Sequence, residues 1–264
     1  MAGEWPSGGV LTLMVESQGR AAAAGERRPR CPRINPFAGP GPSGVQSVRS
    51  TLVRHWHAQP YAAVVLQGGY HEAGEAGRYR VEAGDVLVHA PFSVHQNTAG
   101  AGALVLNLPL PLDYAAHSWR GRLSDPDRLA RLAERDLHEA TACLMASVEF
   151  GGPPLADAPD QLAAELGGAG GRVADWAAAQ GVDRATAYRW FRNAYGVSPA
   201  RFRIEARARR TWRRLAWGAE GLAQVALAEG FSDQAHMTRE VKAITGLTPG
   251  AWRSAAVQQA FKAI

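Results

Sequence analysis

Cysteine and lysine are scarce in this chain of 264 residues, and long apolar runs are missing. Cys31 and Cys143 are too few for a disulfide framework or a zinc motif, which is typical of proteins in a reducing compartment. No uninterrupted apolar run approaches the roughly 18 residues that a membrane span needs. The first dozen residues contain no Lys or Arg, so a secretion signal is not expected either. We therefore predict a cytoplasmic protein without a membrane partner.

Charge is distributed unevenly. The formal net charge is +5, but from Arg172 onward 15 basic residues accompany 7 acidic ones, whereas the preceding 171 residues hold 14 basic and 17 acidic residues. Almost all of the basic residues are arginines, since Lys242 and Lys262 are the only lysines. A basic C-terminal part indicates a polyanionic partner for that part alone.

The basic part contains one pattern twice, about 50 residues apart. In the second copy the helical run 222–229 is followed by Gly230, which permits a tight reversal, and by Asp233, which can cap a second helix. Gly181 and Asp183 occupy these places in the first copy. The copies also share further pairs: Ala185 and Ala235, Arg189 and Arg239, Arg192 and Lys242, Gly196 and Gly246, Pro199 and Pro249, Arg203 and Arg253. The repeat predicts two helix-turn-helix units, whose second helices enter the DNA major groove.

These residues carry a resemblance to a known family. The two units, the second spelled GFSDQAHMTREVKAITGLTPGAWR, resemble the DNA-binding domain of the AraC/XylS family of bacterial transcription regulators over about 172–256. A looser likeness to the family's cupin sensor covers about 45–111. The resemblance implies an α+β chain of two domains. A cupin-like antiparallel β-barrel with following helices would precede an all-α domain of two helix-turn-helix subdomains joined by a long linker helix.

Composition and periodicity divide the chain into four segments. Residues 1–44 are rich in Gly, Pro, Ala and Arg without a clear period and are predicted to be a poorly ordered leader. Short strand-like runs indicate a sensor and dimerisation domain at 45–150, which ends in a helical apolar stripe. This stripe either pairs two protomers or packs on its own barrel. The glycine-rich segment 151–171 is predicted to be a flexible junction, and residues 172–264 to be the DNA-binding domain.

The second helix of each unit supplies the candidate DNA contacts. Amide and guanidinium groups near the start of such a helix can pair with adenine and guanine edges. The predicted contact residues are Ala185, Thr186, Tyr188, Arg189 and Arg192 in the first unit, and Gln234, Ala235, His236, Thr238 and Arg239 in the second. The residues predicted to pack inward are Ala187, Trp190, Phe191, Met237 and Val241. The arginines of the helix predicted from Pro199 to Trp217 are expected to contact phosphates in part and to be solvated in part.

Three histidines are candidate metal ligands. His55 and His57 fall on one face of a strand, and His95 stands where the likeness to a cupin places a later histidine. Converging imidazoles could hold Zn²⁺, Fe²⁺ or Mn²⁺, or could simply line a polar pocket. Metal-binding cupins usually add a glutamate shortly after the first pair, and residues 58–63 contain none. His71, His89 and His117 decide nothing at this point.

The sequence thus predicts an AraC-type transcription regulator that is not an enzyme and requires no cofactor. Its predicted partners are double-stranded promoter DNA, an unknown small-molecule effector, a second copy of the chain and, as a further candidate, RNA polymerase. Two alternatives stay open: a metal-dependent cupin enzyme fused to a DNA-binding domain, and an effector-independent architectural DNA binder. Five apolar residues either line an effector pocket or form plain core: Val64, Leu66, Phe92, Leu104 and Leu106.

Overall fold

A computed structural model describes residues 43–111, 117–151, 157–168 and 170–254. The predicted leader, except residues 43 and 44, and the last ten residues of the predicted DNA-binding domain lie outside these ranges. The described strands are β1 Gly44–Val48, β2 Leu52–His55, β3 Tyr61–Gly74, β4 Gly77–Glu82, β5 Asp85–His89, β6 His95–Pro109, β7 Trp119–Arg122 and β8 Glu149–Phe150. The described helices are α1 Pro126–Ala133, α2 Leu137–Ser147, α3 Ala158–Gly167, α4 Val173–Ala179, α5 Arg184–Tyr195, α6 Pro199–Trp217, α7 Leu222–Ala228, α8 Gln234–Thr245 and α9 Pro249–Trp252. None of these helices is long and apolar enough to span a bilayer.

The strands form one antiparallel sheet in the order β1-β6-β3-β5-β7-β8, with β2 on β6 and β4 on β3. Irregularities between Val65 and Gln67 and between Gly69 and Tyr70 divide β3 into two halves with different partners. The first half pairs with β5 and the second with β4, while β6 follows both halves. This β-rich domain, followed by helices, confirms the predicted α+β class.

Alternation along β3 separates two apolar cores. Ala62 and Val64 face the side covered by α1 and α2, and Tyr61, Ala63 and Val65 face the other side. The predicted helical stripe therefore packs on its own sheet through buried side chains such as Leu129 and Leu144. Asp136 caps α2 and divides the stripe into two helices, which leaves Leu137 exposed.

The duplicated unit is present as predicted. The Asp183 carboxylate accepts from the Thr186 N–H at 2.9 Å at the start of α5, and the Asp233 carboxylate accepts from the His236 N–H at 2.6 Å at the start of α8. Both helices end in a left-handed glycine, Gly196 with φ 69° and Gly246 with φ 77°. The two units therefore share their caps as well as their sequence pattern.

Helix α6 joins the two units. Its 19 residues span about 28 Å at 1.5 Å per residue. Near its start Phe202 packs with Phe191 and Tyr195 of the first unit, and further along Trp212 packs in the core of the second. The length and position of this helix agree with the predicted linker.

Helix α3 corrects the prediction of a flexible junction over 151–171. Leu162 and Leu166 of α3 are each 1% exposed and pack in the core of the first helix-turn-helix unit. Asp160 is also buried, and its carboxylate accepts from the Tyr195 hydroxyl at 2.7 Å and from Arg78 of β4 at 2.8 Å. The glycine-rich stretches on either side of α3 make the segment resemble a linker, although its apolar residues pack.

Phe92 lies in the segment between β5 and β6 of the sheet domain, but its side chain packs in the core of the second helix-turn-helix unit. Its ring is fully buried, with centroids 4.8 Å from Trp212 and 5.8 Å from Trp252. Its φ of 59° makes it the only non-glycine residue of the described ranges with a left-handed backbone. Of the two alternatives given for Phe92, the structure shows plain core. Val64, Leu66 and Leu106 belong instead to the core beneath α1 and α2.

Most arginines of α6 are engaged within the protein, which corrects the expectation of phosphate contacts and a solvated face. The arginines of this helix form ion pairs as follows: Arg201 with Glu205, Arg207 with Glu240, Arg209 and Arg213 with Glu75, Arg210 with Glu229, and Arg214 with Glu220 and Glu229. Glu205 also pairs with Arg54 of β2 at 2.9 Å. Arg203 is exposed and has no acidic partner among the described residues. The basic run thus mainly fixes α6 to the elements around it.

Glu75 supplies the domain interface with its main charged contact. Arg209 is 1% exposed, and its guanidinium pairs with Glu75, which also pairs with Arg213 at 3.3 Å. Burial alone would raise the pKa of Glu75, but the two guanidinium groups outweigh it and lower that pKa. The carboxylate therefore stays ionised and compensates a charge that is otherwise removed from water.

We predict that Glu75→Gln lowers the free energy of unfolding by about 3 kcal/mol, because it leaves the buried Arg209 without its counter-charge. Glu82→Gln is the matched control, since Glu82 pairs with Arg80 on the exposed side of the same sheet. Its expected effect is below about 0.5 kcal/mol. Urea unfolding followed by tryptophan fluorescence measures both, and equal shifts in the two variants would contradict the assignment.

Candidate DNA interface and histidine cluster

Helix α8 exposes one face and buries the other. Gln234, Ala235 and Arg239 are exposed, whereas Met237 and Val241 are each 0% exposed in the core of the second unit. The alternation follows from the helical spacing of three and four residues. Thr238 is half-buried, and its hydroxyl donates to the Gln234 carbonyl at 2.9 Å within the helix. An amide and a guanidinium thus stand at the solvent face of a helix, where they can contact base edges.

His236, a predicted DNA contact, is half-buried, and its ring also has partners within the protein. Its Nδ1 lies 3.1 Å from the Ser232 hydroxyl, and its Nε2 lies 3.0 Å from Glu240. Glu240 also pairs with Arg207 of α6, at 2.6 Å. Because both ring nitrogens have partners and the ring packs on Phe231, the structure gives His236 a role in joining α8 to α6.

Helix α5 presents the corresponding face of the first unit. Ala185, Arg189 and Arg192 are exposed, whereas Thr186 and Tyr188 are half-buried. Thr186 donates to Asp183 at 2.5 Å and accepts from Arg189 at 3.2 Å. Tyr188 lies beneath the guanidinium of Arg184, 5.4 Å from its ring centroid. The arginines of this face are free to approach a duplex, while the threonine side chain also supports the helix start.

Of the three residues of α5 that were predicted to pack inward, two are buried and one is not. Ala187 is 1% exposed and Phe191 is 0% exposed, so both pack in the core. Trp190 is 38% exposed. Helix α5 is covered on one side only, and Trp190 lies at the edge of that side rather than within it. A surface cleft runs beside this helix and is lined by Tyr188, Arg189, Arg192, Asn193 and Ser198.

The three predicted histidines meet on the inner side of the sheet domain. His55 and His95 face each other across the β2–β6 pairing, with ring centroids 4.3 Å apart. The His57 ring lies 5.0 Å from His55 and 5.7 Å from His95. One ligand atom from each of the three lies within 4.8 Å of the others. The spacing argument therefore placed these side chains together correctly, although it does not decide whether they bind a metal.

Two further side chains join this group, and the sequence did not reveal them. His89 stacks on Tyr61 with centroids 4.6 Å apart and lies 4.2 Å from the His95 ring. Glu72 is 6% exposed, with its Oε2 3.6 Å from His89 Nε2. Alternation along β5 puts His89 on the same face as Leu87. Only the pairing of β3 with β5 and β6 shows that Glu72 reaches the same place.

Burial sets the protonation of the cluster. It lowers the pKa of His57 and of His89 to about 3 each, and it lowers the pKa of His95 well below its usual value. Burial also raises the pKa of Glu72 to about 8. The rings are consequently neutral near pH 7, which is the state in which imidazole binds metals. A narrow cavity beside the cluster is lined by Glu72, His89, Ser93, His95 and Ser118, among others.

The paired, capped helices with exposed arginines define a DNA-binding protein of the helix-turn-helix class. Residues 176–255 match the family model described as "Helix-turn-helix domain". This match assigns residues 176–255 to a helix-turn-helix domain.

Solved structures give further likenesses. A transcriptional regulator with an AraC-type DNA-binding domain from Chromobacterium violaceum is 28% identical, with 31% of this chain and 73% of that chain covered and a TM-score of 0.30. ToxT from Vibrio cholerae with a bound unsaturated fatty acid is 10% identical over 80% of this chain and 93% of that chain, with a TM-score of 0.35. The C-terminal domain of AraT, a response regulator from Geobacillus stearothermophilus, is 16% identical over 36% and 79%, with a TM-score of 0.33. The comparison with curated proteins found no match.

We predict that Arg189→Ala and Arg239→Ala each weaken binding to a specific duplex by about 1–3 kcal/mol and relax base preference at the contacted position. Arg80→Ala, which removes an exposed arginine of the sheet, is the matched control and should leave affinity unchanged. Titration against duplexes that differ at single base pairs measures both effects. Unchanged affinity and preference in both helix variants would refute the proposed contacts.

We predict a different outcome for His236→Ala. The variant removes the contacts of the ring with Ser232 and Glu240, so the free energy of unfolding should fall by about 1 kcal/mol. Base preference should stay as in the parent chain, because the ring is turned toward α6. Thermal unfolding and selection from a random duplex library test the two statements separately, and an altered preferred sequence would restore His236 as a DNA contact.

Proposed function

We propose that this chain is a sequence-specific transcription regulator that binds promoter DNA through α5 and α8 and responds to an effector held by its sheet domain. The observation that carries the proposal is the duplicated helix with an exposed arginine at the same position, Arg189 in α5 and Arg239 in α8. Each helix is anchored by an inward apolar face and an aspartate cap, so the outward face is held rigidly. Rigid presentation is what direct contact with base edges requires.

Helix α6 supports simultaneous use of both units. A helix of about 28 Å approaches the length of one turn of B-DNA, roughly 34–36 Å, at which two recognition helices can occupy successive major grooves. The helix contributes buried residues to both units, so their separation is fixed by packing. An effector-independent architectural binder would not need such a defined spacing.

Contacts between the domains support effector control. The sheet domain places Phe92 in the core of the second unit and Glu75 against Arg209, and Arg78 reaches α3 of the first unit. A molecule that prefers one arrangement of the sheet would shift the population of arrangements of both units. The proposal includes a small-molecule or ionic effector, a second copy of the chain and RNA polymerase as partners, and it assigns no enzymatic reaction.

We predict a moderate salt dependence. Because most of the α6 arginines are paired within the protein, few free cations of the described residues lie near the two recognition helices, mainly Arg184, Arg189, Arg192, Arg203, Arg239 and Lys242. The logarithm of the association constant should fall against the logarithm of salt concentration with a slope no steeper than about −5 per chain. Fluorescence anisotropy over a salt series measures it, and a much steeper slope would mean that the α6 ion pairs open on DNA.

Selection of duplexes from a random library, followed by mapping of bound promoters in cells, tests the function itself. Recovery of two short conserved elements about one helical turn apart is the expected result. Failure to enrich any sequence, with equal affinity for all duplexes, would favour the architectural alternative.

A further inference from the structure

Glu72 is a buried carboxyl group that faces imidazoles. It is 6% exposed, and no Lys or Arg pairs with it among the described residues. Its nearest polar neighbours are His89, at 3.6 Å, and the side-chain amide of Asn97, at 3.2 Å when that amide is oriented to donate. Burying a carboxylate without a compensating positive charge is costly. Without a cation beside it the acid is held in its neutral form, and a bound metal ion would supply the positive charge that lets it ionise.

The geometry of Glu72, His89 and His95 matches a set of metal ligands. One ligand atom from each lies within 4.8 Å of the others, and all three side chains are buried. Bonds of about 2.0–2.2 Å to Zn²⁺ place neighbouring ligand atoms about 3.3 Å apart, so modest side-chain movement would close the set. His95 Nδ1 lies 3.2 Å from the Ser93 carbonyl, which fixes its proton there. Its Nε2 lies 3.2 Å from the Tyr61 hydroxyl, so a metal ion would have to displace this hydrogen bond.

We propose that Glu72, His89 and His95 bind a divalent transition-metal ion, and that this ion is an effector of DNA binding. The metal site is argued from the cluster alone, whereas the effector role of the ion rests on the function proposed above. Two imidazoles and one carboxylate suit Zn²⁺ and similar borderline ions. His55 and His57 form a second set around the same His95, and the experiment below separates the two sets.

The route from the cluster to the DNA-binding domain is short. His95 lies three residues after Phe92, whose ring is in the core of the second helix-turn-helix unit. The Phe92 N–H donates to the His57 carbonyl at 2.8 Å, and Trp56 packs on Phe92 with centroids 5.5 Å apart. On the other side, Glu72 precedes Glu75, the partner of Arg209 and Arg213, by three residues along the same chain segment. Drawing the ligands together therefore acts on two of the contacts between the sheet domain and α6.

The test uses the full chain, freed of metal with a chelator and titrated with Co²⁺, whose visible absorption reports ligand geometry, and with Zn²⁺ in competition. The expected result is one ion per chain. His95→Ala and Glu72→Gln should each weaken binding at least about tenfold, whereas His57→Ala should change it less than about threefold. His71→Ala is the matched control, because His71 is the exposed neighbour of Glu72 on β3. Glu72→Gln preserves side-chain size and removes a buried acid, so it should fold.

Several results would overturn the site. No binding by the parent chain, or binding by Glu72→Gln equal to that of the parent, would exclude it. Loss in His57→Ala with retention in Glu72→Gln would place the metal on His55, His57 and His95 instead, and would also reject the proposed ligands.

The effector role is tested with the duplex selected for the parent chain. Zn²⁺ should change the Kd of the protein for this duplex at least about fivefold in the parent chain and in His71→Ala. In Glu72→Gln it should leave this Kd unchanged. If metal binds while Kd stays constant, the site stands and the effector role is refuted. If no duplex is preferred, the proposed function fails, and the Co²⁺ titration still judges the site.

Discussion

The contact between α6 and the sheet domain governs the arrangement of this molecule. Arg209 is almost wholly removed from water and depends on Glu75 of the other domain for its counter-charge, and Phe92 fills the space between Trp212 and Trp252. A buried guanidinium without a partner is strongly destabilising, and an unfilled core likewise. Each domain therefore supplies groups that the other needs for its stability. Arg78 of the sheet domain pairs with Asp160 of α3, and α3 packs in the core of the first helix-turn-helix unit, so the first unit depends on the sheet in the same way. The two DNA-contacting helices are consequently oriented by the sheet as well as by α6.

This arrangement joins the histidine cluster and the helical domain through one set of packed side chains. The segment that carries His55 and His57 also carries Trp56, which packs against the helical core, and the turn before His95 carries Phe92. Side-chain alternation along residues 55–57 needs no separate hinge to couple the two sides, and Phe92 reaches the helices from the turn. The strained backbone of Phe92, with a φ of 59°, is maintained only because the surrounding packing determines it.

The sequence predicted local features well and distant ones poorly. Caps, glycine ends and the repeat depend on neighbours within a few residues, so Asp183, Asp233, Gly196 and Gly246 could be assigned in advance. The convergence of His55, His57 and His95 followed from alternation together with the likeness to a cupin. Glu72 and His89 could not be found, since their proximity depends on the pairing of β3 with β5 and β6. The ion pairs of the α6 arginines could not be predicted, because acidic partners such as Glu75 are far away in sequence.

Phe92 also bears on how such a protein can be recombined. Regulators with separate sensing and DNA-binding domains invite the construction of chimeras, in which one module is exchanged for another. Here a graft of the C-terminal helices onto a foreign sensor would leave an empty space the size of a phenyl ring among tryptophans, and would strand the Arg209 guanidinium. The natural unit of exchange is the helical domain together with Glu75 and the segment around residues 90–95, so the covalent boundary between the two domains is not their structural boundary.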